Sequence, residues 1–251
     1  KGKVLLMKFF DLESPLMQAL NKVADLMILN ILTLICCIPI ITAGASITAM
    51  HYMALKMARN EECYIIKDFF KSFKLNFKQA TIIWVLVFII LMVLVGGFYI
   101  MFNAEMAFAG ALKIILTVIA FVALFTYMFL FPVLAKFDNT ILRTFKNAFF
   151  IGILQFPKTI LMMILSVAPV VLFLLFPQIT PIIFCFGMAA PAWLSAKMYS
   201  NFFKKLEDQI TAANALEEGE QTVTEEEDER IFKDELDESL LDDPRIGGGQ
   251  A

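Results

Sequence analysis

Histidine carries most acid–base chemistry near neutral pH, and this chain has one, His51 in "ITAMHYMALKM". No serine or cysteine stands beside it at a spacing that marks a nucleophile, so it suits packing, an interface hydrogen bond or a proton-linked role. The four cysteines are Cys36, Cys37, Cys63 and Cys185. They lack metal-ligand spacing, and three of them lie in or beside apolar runs, where free cysteine packs as a small hydrophobe. A membrane-embedded enzyme has no residue constellation to work with here, and no metal or cofactor is expected.

Two other groups of residues could do something. Asn30, Thr33, Thr42, Ser46 and Thr48 are uncharged polar residues within an apolar region interrupted at Pro39 and Gly44. A broken membrane helix exposes backbone carbonyls and amides, which transporters use to hold substrate. Asn30, Pro39, Thr42, Gly44 and His51 therefore form a candidate substrate site, against the plainer reading of a kink satisfied by neighbouring helices. The second group is Lys67, Lys71, Lys74 and Lys78 in "KDFFKSFKLNFKQAT". Their spacing of i, i+4, i+7, i+11 puts all four in one sector of a helix, with Phe69, Phe70, Phe73, Phe77 and Ala80 on a separate face. That pattern predicts a helix in the headgroup layer, rings among acyl chains and ammonium groups on anionic phosphates. The plainer reading is that the lysines fix orientation during insertion, and the sharper one that they dock a cytoplasmic partner. Arg143 and Lys146, with Asn147, repeat the design more weakly opposite Ile141, Phe145 and Phe149, and Asp138 and Asn139 are candidate caps. Nothing resembles a base-reading module, so nucleic acid is not an expected partner.

The elements that must position these residues are set by hydrophobicity. The chain has 251 residues and is 59% apolar, above the roughly 45–50% of globular proteins. Residues 26–50, 81–102, 114–135 and 159–196 carry no charge, each long enough to cross a hydrocarbon core of about 30 Å. The last could cross twice, broken at "PQITP" (177–181). Ser14 and Pro15 mark a helix start, and Pro39 ends or kinks that helix. The first region is then either one kinked span or two short helices folded back at Pro39 to Gly44. Gly96 and Gly97 suit close helix packing.

Charge sets the orientation. Residues 54–80 hold six Lys and Arg and residues 136–158 hold four, whereas 103–113 holds one and 177–181 none. By the positive-inside rule the first two connections are cytoplasmic and the other two face outward, with the C-terminus inside. Lys8 and Lys22 favour an inside N-terminus and hence a re-entrant first region. No cleavable signal peptide is evident, and Met7 makes a natural start, residues 1–6 reading as an upstream extension. The formal net charge of −3 conceals a basic body and a tail from Glu207 with three Lys and Arg against sixteen Asp and Glu. That composition predicts disorder, although "ERIFKDELDESLL" could fold on a basic partner or on the lysine-rich loops. A faint repeat joins "FFKSFKLNFKQATIIWVL" to "TFKNAFFIGILQFPKTILMMIL".

The run from "FFDLESPLMQAL" to "KQATIIW" resembles the N-terminal half of the YesL-like family of bacterial membrane proteins. The likeness extends over about residues 9–205. It is strongest in "CCIPIITAGASITAMHYMALKM", "RNEE" and "KDFFKSFKLNFKQAT", and the acidic tail departs from it. The family is of unknown function. The resemblance implies a bacterial plasma-membrane protein, often encoded beside sugar-uptake transporters and glycan-degrading enzymes, that assists carbohydrate transport. It assigns no catalytic residue.

The expectation is an all-α polytopic bundle of about five spans, with a broken or re-entrant first region and cytoplasmic amphipathic helices. Residues 1–24 form an amphipathic segment, 25–205 the membrane domain and 206–251 an acidic cytoplasmic tail. The expected function is non-enzymatic and accessory to carbohydrate uptake, through contact with anionic lipid headgroups and an ATP-binding cassette sugar permease. The alternative is a small transporter or channel, oligomeric, with its site near Pro39 to Gly44.

Overall fold

The computed structural model describes the backbone of residues 15–103 and 109–234, and the side chains of residues 16–103 and 110–215. Every described element is helical: α1 (Pro15–Cys37), α2 (Ala43–Ala58), α3 (Ile65–Asn103), α4 (Ala109–Lys136), α5 (Ile141–Leu154), α6 (Phe156–Leu175), α7 (Thr180–Phe186) and α8 (Ala189–Asp234), with 3₁₀ turns at Ile40–Thr42 and Pro177–Ile179. Four helices, Leu16–Cys37, Ile65–Asn103, Gly110–Lys136 and Phe156–Leu175, are long and apolar enough to cross a membrane. A fifth is added if Pro177–Phe186 and Ala189–Ala215, bent by 54°, count as one span. The chain is a multi-pass membrane protein. The first helix opens at Pro15 as expected, while Ser14 lies outside the described residues.

The first apolar region is a hairpin. Ser46 Oγ donates to the Thr33 carbonyl at 2.9 Å, and Lys22 Nζ donates to Asn60 Oδ1 at 2.6 Å, so α2 returns antiparallel along α1. Its tip exposes Ile38, Ile40 and Ile41. Thr42 Oγ1 donates to the carbonyls of Cys36 and Pro39, filling acceptors that the end of a helix leaves open.

The far end of the hairpin is clamped by the "RNEE" residues. Asn60 has φ 55°, the left-handed conformation that ends many helices. Arg59 donates to Ser200 and pairs with Glu61 at 3.8 Å. A β-branched residue in that backbone conformation costs about 1–2 kcal/mol, so Asn60→Val is expected to lower the unfolding midpoint in detergent. Asn60→Gly keeps the turn and should lose only the exposed bond from Lys22. Equal effects of the two would show that the turn conformation is unimportant.

α3 is unbroken for 39 residues, about 58 Å at 1.5 Å per residue. Lys56 meets Asp68 at 2.9 Å, and Gly44 lies against Ala80 and Trp84. These contacts are twelve residues apart on both helices, so α2 runs alongside only the first half of α3. Beyond Trp84, α3 packs mainly on α4, through Trp84 and Phe131 rings 6.2 Å apart and Gly97 against Leu116. Outward residues of this pair, such as Val93, Val95, Ile114 and Val118, are exposed, as lipid-facing residues are.

The faint sequence repeat corresponds to different structures in its two halves. The first half is one continuous helix. The second breaks at Gln155, between α5 and α6, because Pro157 has no N–H to continue the helix and its ring clashes with the preceding turn. Thr159 Oγ1 donates to the carbonyls of Gly152 and Gln155 there, the latter also accepting the Thr159 backbone N–H. The cap of α5 falls at Thr140, without a side-chain bond, rather than at Asp138 or Asn139.

The chain divides into two compact units between Ser200 and Asn201. α8 runs on to Asp234, through residues whose composition predicts disorder. Their Glu, Ala, Leu and Lys are strong helix formers. The remainder of "ERIFKDELDESLL" from residue 235 lies outside the described residues.

Candidate functional site

α3 displays its lysine face outward. Ile65, Phe69, Ser72 and Ala80 are buried on the side turned to the body, while Lys67, Lys71, Lys74 and Lys78 are all exposed on the opposite side of the wheel. None of the four forms an ion pair with a described residue. The nearby Asp68 carboxylate is engaged by Lys56, and this bond raises Lys56 above the usual lysine range. The same bond holds Asp68 below the usual carboxylate range, so the pair's contribution is present at neutral pH and is lost both as pH climbs past the raised lysine value and as it falls past the lowered aspartate value.

The aromatic face departs from expectation. The sequence pattern places its rings among acyl chains, but Phe69 is fully buried by protein and Phe73 is half-buried, while Phe70 and Phe77, at 39% and 36% exposure, remain on the flank for lipid. An apolar helix face does not specify whether another helix or an acyl chain covers it. Arg143 and Lys146 are exposed on α5. Gln79 Nε2 donates to the Asn139 carbonyl, which brings the start of that second basic segment beside the end of the first.

The polar residues near the helix break are occupied by backbone. Asn30 is 0% exposed. Its Oδ1 accepts from the amides of Met188 and Ala189 at 2.8 Å each, and its Nδ2 donates to the Phe184 carbonyl at 2.7 Å. It joins the end of α7 to the start of α8, supplying partners that both helix ends lack. Thr33 and Thr48 each donate to the carbonyl four residues earlier, and Ser46 and Thr42 are engaged as described. Gly44 is a contact point between helices. A Cβ there would lie 2.6 Å from both the Ala80 oxygen and the Trp84 Cβ. His51 is half-buried, but its Nδ1 is enclosed with no partner among the described residues. Burial holds the ring down at about 4, so it is neutral at physiological pH.

A cavity of about 320 Å³ opens beside Asn30, lined by Leu34, Pro169, Phe173, Phe184 and Met188 among others. The Asn30 polar atoms at its wall are already bonded, so it offers little to a sugar hydroxyl and much to an apolar group. Of its lining, the sequence singles out only Asn30, because the other residues look like any others in an apolar run. Among the described residues no cluster of His, Cys, Asp or Glu could hold a metal ion, and all four cysteines are free and half-buried. Burial also pushes the Cys63 thiol up, away from the reactive thiolate.

A family model described as "Protein of unknown function, DUF624" matches residues 26–98, from within α1 through most of α3. No curated protein and no solved structure matches the chain.

Proposed function

We propose that this chain is a non-enzymatic accessory protein of the bacterial plasma membrane, one of the YesL-like proteins, that associates with a carbohydrate-uptake permease of the ATP-binding cassette type. The observation that carries this reading is the outward row of Lys67, Lys71, Lys74 and Lys78, none of them in an ion pair with a described residue. Charge arranged this way gives a partner orientation and association rate. The stand-alone transporter draws less support, since Asn30, Thr42 and Ser46 are bonded to backbone. The sugar-uptake part rests on the family resemblance.

Mild-detergent extraction of the tagged protein should recover a permease complex identifiable by mass spectrometry. Replacing all four lysines with glutamine should reduce recovery roughly tenfold or more, at a few tenths to about 1 kcal/mol per exposed charge, whereas four arginines should retain it. Wild-type protein that purifies alone, or a glutamine variant that keeps its permease, would defeat this reading.

A further inference from the structure

α6 runs in an unexpected direction. Phe156 at its start stacks on Phe125 at 5.3 Å. Phe125 lies six residues from Phe131, the partner of Trp84, so α6 begins about 9 Å beyond Trp84 toward Asn103. Pro169 and Phe173, near its other end, share the cavity with Asn30 and Leu34, as does Thr180 just past the 3₁₀ turn.

The hairpin contacts place that cavity along α3. Thr33 is opposite Ser46, and Gly44, two residues from Ser46, is opposite Ala80. Asn30 and Leu34 therefore fall alongside the stretch of α3 that carries Lys74 and Lys78. α6 thus starts level with the apolar half of α3, against α4, and returns to the level of the lysines. From that level to Asn103, α3 covers about 24 residues, roughly 36 Å, more than a hydrocarbon core of about 30 Å. Asn103 and the Pro177–Ile179 turn, which charge predicts to share a face, therefore lie toward opposite ends of that stretch.

We propose that the Pro177–Ile179 turn lies on the same side of the bilayer as Lys74. α5 and α6 enter and leave through that one leaflet, and α3 and α4 cross completely. Outward residues such as Val167, Val170 and Leu174 then meet acyl chains of that leaflet alone. Length and apolarity qualify α6 as a span, but its contacts hold it at the wrong depth to be one.

Sidedness labelling of the full chain in intact cells tests this. Single cysteines at Lys74, Gln178 and Asn103, all exposed, are introduced with the four native cysteines replaced by alanine, and probed with an impermeant maleimide before and after permeabilisation. Gln178→Cys should follow Lys74→Cys and oppose Asn103→Cys by at least tenfold in labelling, whichever face proves to be inside. Gln178→Cys reacting together with Asn103→Cys, or staying unreactive in permeabilised cells where both Lys74→Cys and Asn103→Cys react, would overturn the proposal. Protease-site insertions at 103 and 178 in the chain with its native cysteines give the same comparison should the cysteine-free background fail to fold. Cleavage at both from one face would overturn it equally.

Discussion

Asn30→Ala is expected to destabilise the protein by about 2–5 kcal/mol, the range spanned by three lost bonds at the modest values found inside membrane proteins and the larger penalties of orphaned buried groups. The substitution removes one acceptor and one donor, and leaves the amides of Met188 and Ala189 and the carbonyl of Phe184 without partners. Water does not readily replace them, since the side chain is fully enclosed. Asn30→Asp separates the contributions. A carboxylate still accepts from both amides but repels the Phe184 carbonyl, whereas the protonated acid can donate to it. The enclosed site and that carbonyl both favour the neutral acid, so the aspartate variant should gain stability as pH falls. Thermal unfolding in detergent at two pH values reads both effects. If Asn30 were instead a substrate ligand, Asn30→Ala would abolish binding and leave the midpoint unchanged, contrary to the structural role.

Gly44→Ala should be nearly as damaging, at about 2–4 kcal/mol, the upper range for forcing volume into a packed contact. The added methyl would sit 2.6 Å from the Ala80 carbonyl oxygen and the Trp84 Cβ, and neither is the end of a flexible side chain. Relief requires α2 and α3 to separate, which strains the Lys56–Asp68 pair farther along the same seam. Gly96→Ala is the control. Nothing lies within 4 Å of a Cβ there, so alanine's better helix propensity should stabilise by up to about 1 kcal/mol. Equal losses at positions 44 and 96 would mean that helix flexibility, not contact, sets the requirement for glycine.

Transfer of side chains from water to lipid is close to additive along the chain. A local window therefore sufficed to find the long apolar helices, the all-helical class and the interruptions at Pro39 and Pro177. Periodicity likewise identified the common face of Lys67, Lys71, Lys74 and Lys78, because i, i+4, i+7 depends only on helix geometry. Even the folding back of the first region was one of two alternatives open from its charges and its proline.

Tertiary structure alone decided who covers each face and where each helix points. Asn30 read as a polar residue near a break at Pro39, yet it closes a different break more than 150 residues away. An amide group bonds whichever helix ends are brought to it, and nothing in its neighbours names them. Phe69 could have faced lipid or protein with similar transfer energy, and helix packing, which buries it fully, settled the matter. The direction of α6 follows from its stacking on Phe125 at one end and its seat beside Leu34 at the other, contacts between chemically ordinary residues. Hydrophobicity is a scalar property of each segment and is legible locally. Direction and partnership arise from mutual contact, so they exist only once the helices are assembled.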